Sequence, residues 1–337
     1  MKQHLVKKIL ILLPFLFLNL SYVLAETFTF SDAYGRKVVL SIPVEKACLL
    51  ATYELIPALK IRSQVVAIGS WAYNDYIMKS TIPDLDKIPA PGTGGPGLNV
   101  ELLKRLGTDL VVTFRVPPEE LAFLESKGIK AFAIYPNSVR ELIEIIRWHG
   151  VVFGKEKEAE KVIGEMEKII RLTEEKISEI PSAKRKKVIW LHSDPISVAG
   201  GDGIINDTFL KIGAINPAAS LFPQSSVAKT SLETIIKLDP DVIFVWGAAP
   251  FGPSDLINNP QWSYVKAIKE KQVYKLETLT TFSPRHVIDM LYMAMKTYPG
   301  YFKDVSFEKT ADDFFKKVFG ISYKIYGGIE NVSGYKH

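Results

Sequence analysis

The segment NVELLKRLGTDLVVTF (Asn99–Phe114) aligns without a gap on SLETIIKLDPDVIFVW (Ser231–Trp246), 132 residues further along the chain. Glu101 falls on Glu233, Leu106 on Leu238 and Asp109 on Asp241, and an apolar run closes each copy. Each copy opens with a residue whose short side chain accepts from the free N–H groups of a helix start. Each then puts an acid in the first turn, where the helix dipole favours negative charge. A short amphipathic helix, a turn and an apolar strand follow. The chain is built from two similar halves.

Each half alternates apolar runs with helical stretches. The first carries KACLLA, QVVAIGS, DLVVTF and KAFAIY; the second carries KVIWLH, DVIFVW and QVYKL. Short β-branched runs separated by helices belong to parallel sheets covered on both faces. The predicted fold is therefore α/β, with two lobes that each hold a parallel β-sheet flanked by helices. Ligands of such lobes sit beyond the carboxyl ends of the strands.

Between the halves, Ser138 and Glu141 form a capping box and Gly154 stops the helix they open. KEKEAEKVIGEMEKIIRLTEEKISEIP then predicts about 26 helical residues, roughly 39 Å at 1.5 Å per residue. Val162, Ile163, Met166, Ile169, Ile170 and Ile177 make one apolar stripe on it. One long rigid helix joining the lobes limits opening and closing of the cleft to small rotations. The expected divisions are 26–150 for the first lobe, 151–181 for the joining helix, 182–320 for the second lobe and 321–337 for a flexible, glycine-rich tail.

Lys2, Lys7 and Lys8 precede an apolar run from Ile9, and Val23-Leu24-Ala25 supplies small residues at a cleavage point. This reads as a secretory signal peptide over residues 1–25, and no lipid-anchoring cysteine follows it. The expected location is the periplasm. Removing those residues takes away three lysines and no acid, so 42 basic against 37 acidic residues becomes 39 against 37. A nearly neutral chain without a basic stripe argues against a nucleic-acid partner. Cys48 is the one cysteine and lies in KACLLA, which predicts a buried structural thiol.

Gly92–Gly97 spells G-x-G-x-x-G, but Pro83, Pro89 and Pro91 break any strand leading into it, and Pro96 lacks an amide that a phosphate cradle would use. The loop is not read as a nucleotide site. No nucleophile elbow, P-loop or zincin motif occurs, and HSDP (His192–Pro195) sets its polar residues side by side, which builds no proton relay. The expectation is a binding protein, with an envelope enzyme as the alternative class.

In this order, FSDAYGRKVVLSIPVEKACLL, the LNVELLKRLGTDLVV and SLETIIKLDPDVIFV pair, KEKEAEKVI and SPRHVIDMLYMAMKTYPGYFKDV resemble the substrate-binding proteins of ABC importers for iron-siderophores, haem and cobalamin. The resemblance covers nearly the whole chain after residue 25. It implies a monomer that captures a small-molecule metal chelate and delivers it to a membrane permease dimer, with no intrinsic cofactor. The implied cargo is first an iron-siderophore, with cobalamin or another corrinoid, haem, or a molybdate-type oxyanion as alternatives. It further implies that Glu101 and Glu233 dock on the permease and that the loop with Gly94 and Gly95 borders the cleft.

Strand ends and the loops after them supply the other cleft candidates: Tyr53, Trp71, Tyr73, Phe114 and Arg115 in the first half, and His192, Trp246, Phe282, Arg285 and His286 in the second. Aromatic faces with one or two arginines suit a planar or chelated ligand carrying peripheral anionic oxygens. Arg285, in FSPRHV, is the leading single residue because that step resembles a cleft-facing segment of the family. The five histidines show no metal-ligand spacing, so no protein metal site is expected, only a single contact to a chelated metal from Tyr53, Tyr73 or His192.

Overall fold

The computed structural model describes residues 26–94, 97–277 and 282–323. The signal segment, Gly95 and the tail from residue 324 lie outside the described residues. In chain order the first half runs β1 (Glu26–Ser31), β2 (Lys37–Ile42), β3 (Ala47–Leu49), α1 (Leu55–Leu59), β4 (Val65–Ile68), α2 (Tyr76–Thr81), α3 (Val100–Arg105), β5 (Leu110–Thr113), α4 (Pro118–Ser126), β6 (Lys130–Ala133) and α5 (Val139–Phe153). After α6 (Glu156–Ser178) come β7 (Val188–Leu191), β8 (Ser197–Ala199), α7 (Ile204–Lys211), β9 (Val227–Lys229), α8 (Leu232–Leu238), β10 (Val242–Val245), α9 (Pro253–Ile257), α10 (Lys266–Lys269), β11 (Val273–Lys275), α11 (His286–Thr297) and α12 (Phe307–Val318).

All seven predicted apolar runs are strands. The first sheet is parallel, in the order β4-β3-β5-β6. The second has the order β11-β10-β7-β8-β9, and only β11, β10 and β7 are parallel. Strands β8 and β9 pair antiparallel, so the expectation of a purely parallel second sheet is corrected. The antiparallel hairpin β1–β2 is a further addition. Strands β1 and β9 carry exposed and half-buried residues, β2 alternates exposed and buried positions, and β8 spans three residues, so none offers the continuous buried apolar run of a strand covered on both faces.

The two copies of the repeat fold alike. Asn99 accepts from the Leu102 amide at 2.9 Å at the start of α3, and Ser231 from the Thr234 amide at 3.2 Å at the start of α8. Both helices stop at a left-handed residue, Gly107 (φ +66°) in one copy and Asp239 (φ +43°) in the other. At the start of α5 the Ser138 hydroxyl caps the Glu141 amide, while the Glu141 carboxylate takes the Asn137 amide one residue earlier than a capping box would.

Helix α6 spans 23 residues, about 35 Å, which is shorter than predicted at both ends. Residues 151–153 belong to α5, because Gly154 (φ +63°) ends that helix and Lys155 caps the next. Ala159, Val162, Ile163, Met166, Ile169, Thr173 and Ile177 are its buried face, and Ile170 is half-buried. That face meets α1 and α5 on one side and α11 and α12 on the other, so one rod supports both lobes. Residues 321–323, assigned to the tail by sequence, pack on the second half. Tyr323 is buried against Phe315 at 5.0 Å, and its amide donates to Asp312.

Cys48 is fully buried, and burial pushes its thiol up. Two buried histidines are held by threonines: Thr52 Oγ1 lies 2.9 Å from His149 Nε2, and Thr208 Oγ1 lies 2.9 Å from His286 Nε2. Burial lowers each imidazole from 6.5 to about 4, so both are neutral in the folded protein. The unfolded chain then binds more protons than the folded one between those values, and stability falls as the pH drops from 6.5 to 4. A loss on the order of 3 kcal/mol per histidine is expected in urea titrations across that window. It should shrink by about half in His149→Gln if the two act independently.

Candidate functional site

The carboxyl ends of the parallel strands deliver most of the candidates. Trp71 and Tyr73 follow β4, Phe114 and Arg115 follow β5, His192 follows β7 and Trp246 follows β10. Phe114 and Phe282 meet across the lobes with ring centroids 5.6 Å apart. Tyr135, at the end of β6, packs edge-on against Phe282 at 5.7 Å, and its hydroxyl donates to Ser226 Oγ of the other lobe at 2.8 Å. The exposed Arg115 guanidinium lies 5.7 Å from the Tyr135 ring and 5.2 Å from Tyr34. His192 stacks on Trp246 at 4.4 Å, and burial lowers its imidazole, which keeps it neutral. Trp71 is 43% exposed, while the Tyr73 hydroxyl is tied to the Ile88 carbonyl.

The loop carrying Gly94 packs beneath this aromatic set. Gly94 has φ +102°, and a β-carbon there would lie 2.8 Å from Phe114 Cδ2, so the glycine lets the ring close on the backbone. Its carbonyl accepts from Thr113 Oγ1 at 3.1 Å. No strand enters this loop, and the helix that leaves it, α3, has six residues. Gly94→Val is expected to displace Phe114 and to cost about 1–3 kcal/mol, read from the urea midpoint.

Three candidates stand apart from this aromatic set. Tyr53 is buried, and its hydroxyl has no hydrogen-bond partner among the described residues. His286 is buried with Thr208. Arg285 is 3% exposed, and its Nη2 donates to Glu54 Oε1 at 2.6 Å and to Asp75 Oδ2 at 3.1 Å. The ligand-facing arginine of the sequence reading is thus a buried tie between elements of the two halves. Its Nε and Nη1 find no acceptor among the described residues. Burial opposes its charge, but Glu54, Asp75, Tyr76 and Glu277 together hold the guanidinium well above its ordinary value.

Tyr135 and Ser226 link the two halves, and the sequence reading missed both. Tyr135 closes KAFAIY and had the same strand-end signal as Phe114; Ser226 had none. Glu54 and Asp75 escaped because nothing local marks an acid as the partner of an arginine more than 200 residues away.

Glu101 and Glu233 are both exposed in the first turns of α3 and α8. The Ser231 hydroxyl helps hold Glu233 below the ordinary carboxylate range.

The family of periplasmic binding proteins matches residues 50–278. The chain belongs to that family. Helicobacter pylori CeuE, solved as a Ni-His complex, is 28% identical, with a TM-score of 0.79 over 89% of this chain and 97% of that one. Haemophilus influenzae molybdate-binding protein MolA is 22% identical over 93% of this chain and 97% of its own length. Its molybdate-bound structure gives a TM-score of 0.74 over 88% and 99% of the two chains. Bacillus subtilis YvrC, an ABC transporter substrate-binding lipoprotein, is 26% identical over 82% of this chain and 87% of its own. The family is extracytoplasmic, and the names of YvrC and of the molybdate-bound MolA structure tie those relatives to ABC transporters. Among the described residues no helix is long and apolar enough to cross a membrane.

Proposed function

We propose that the protein captures a metal chelate between its lobes and hands it to the permease through Glu101 and Glu233. The observation that carries the ligand class is the aromatic bridge of Phe114, Phe282 and Tyr135, with neutral His192 stacked on Trp246. Aromatic faces receive the organic part of a chelate, and a neutral imidazole suits contact with a metal whose other positions are already filled. Rings that meet across the cleft favour a chelate of amino-acid size, as in the Ni-His complex of CeuE, over a large ferric siderophore, corrinoid or haem. A molybdate-type oxyanion is the second reading, favoured by exposed Arg115 and by the similarity to MolA.

Protein isolated from its native envelope is the test, with metal analysis, mass spectrometry and absorbance of whatever it carries. One metal with an organic chelator per chain is the expected result. Molybdenum with no chelator would support the second reading, and stoichiometric uptake of bare zinc or nickel would overturn both. Steady-state turnover of an envelope substrate would move the protein to the enzyme class.

A further inference from the structure

Two sets of polar contacts tie the first half to the second. In one, buried Arg285 donates through Nη2 to Glu54 Oε1 at 2.6 Å and to Asp75 Oδ2 at 3.1 Å, and the buried Ser283 hydroxyl donates to Glu54 Oε2. The other lies along residues 135–139, between β6 and α5. There the Tyr135 hydroxyl donates to Ser226 Oγ at 2.8 Å, and the Val139 amide donates to Asp207 Oδ2 of α7, also at 2.8 Å.

Both ends of the Tyr135–Ser226 bond are held in place by their own half. The Ile134 amide donates to the Thr113 carbonyl at 2.8 Å, which fixes the end of β6, and Pro136 confines Tyr135 to extended backbone. Opposite, the Ser226 carbonyl accepts from the Gly200 amide at 3.2 Å. Gly203, at φ +88°, comes so close that a β-carbon there would lie 2.9 Å from Ser226 Cβ. The hydroxyls therefore meet only while the halves keep their present spacing.

The ties differ in how readily they part. Breaking the Arg285 set strands charge in the interior. The Asp207 carboxylate answers a free amide in the first turn of α5, where charge and helix dipole add. The Tyr135–Ser226 bond joins two neutral, half-buried hydroxyls, and water can replace each partner as it opens. It is the first contact to yield.

We propose that Tyr135 and Ser226 form a latch: the halves part here, about the buried tie at Arg285, and cargo is held tightly only if it is small enough for the latch to close beside it. The latch stands on these contacts alone; the size limit rests on the chelate reading above. A neutral hydrogen bond of this kind shifts the balance between closed and open forms by about 2- to 10-fold.

The test places spin labels at Lys104→Cys and Lys237→Cys, exposed positions on α3 and α8, and measures the inter-label distances in the full chain without added cargo. Tyr135→Phe keeps the ring and removes only the hydroxyl. It is expected to raise the population at longer distances about 2- to 10-fold, Ser226→Ala to do the same, and the double substitution to add nothing further. Distances unchanged by either substitution overturn the latch, and so do effects that add. Should Tyr135→Phe fail to fold, Ser226→Ala decides. Titrations then use two probes, Ni(II)-histidine and a ferric trihydroxamate. Tyr135→Phe is expected to weaken the first about 2- to 10-fold and to strengthen the second by a similar factor, opposite signs that a general loosening of the fold does not produce. Changes of the same sign overturn the size limit. A parent chain that binds neither probe overturns the chelate reading, and the distances still decide the latch.

Discussion

A chain carrying Glu101→Arg and Glu233→Arg is expected to bind its cargo with unchanged affinity and to support no uptake through the permease. The two carboxylates stand exposed at equivalent places of the repeat, in the first turn of α3 and of α8. An exposed ion pair contributes only about 0.2–1 kcal/mol, so neither acid makes the complex with the permease strong. In the proposed docking role, a pair with one member on each lobe would do something a single acid cannot: report the distance between the lobes. If the two acids dock on a basic surface of the permease, as proposed, reversing both charges replaces attraction with like-charge repulsion, an effect that grows as salt is lowered. Neither residue belongs to the aromatic bridge, which is why affinity is preserved. Uptake assays in a strain lacking the native chain, beside equilibrium binding of the same variant, measure both halves of the expectation. Normal uptake by the double variant would remove the docking role.

The second large effect is on stability. Arg285→Met is expected to cost about 3–5 kcal/mol, because it leaves Glu54 and Asp75 buried without their cation. Adding Glu54→Gln and Asp75→Asn to the same chain should restore much of that loss, since an uncharged set no longer carries an unpaired buried charge. Urea midpoints of the single and triple variants, at constant slope, give the comparison. A ligand-facing arginine would behave differently: its removal would weaken binding and leave the midpoint nearly unchanged.

The repeat made much of the architecture legible. Seven apolar runs became strands because a strand covered on both faces is apolar at most of its positions, a signal that survives without neighbours. The caps Asn99, Ser138 and Ser231 and the stop at Gly154 were readable for the same reason: their partners lie within four residues. Strands β8 and β9 and the hairpin β1–β2 were not, since β8 and β9 have three residues each and β1 and β2 are covered on one face at most, which leaves no continuous apolar run.

The site divided along the same line. That Phe114 and Trp246 follow strands, and that Glu101 and Glu233 sit in the exposed first turns of their helices, is written in local pattern. That Tyr135 reaches Ser226, that Gly94 makes room for the Phe114 ring, and that Arg285 turns inward to two acids are tertiary outcomes. The sequence alone determined two α/β halves on one stiff helix, because hydrophobic period and capping act over a few residues. Only the folded chain decided which charged side chain faces the cleft and which is buried, because that choice depends on the partners that desolvation forces together from distant segments.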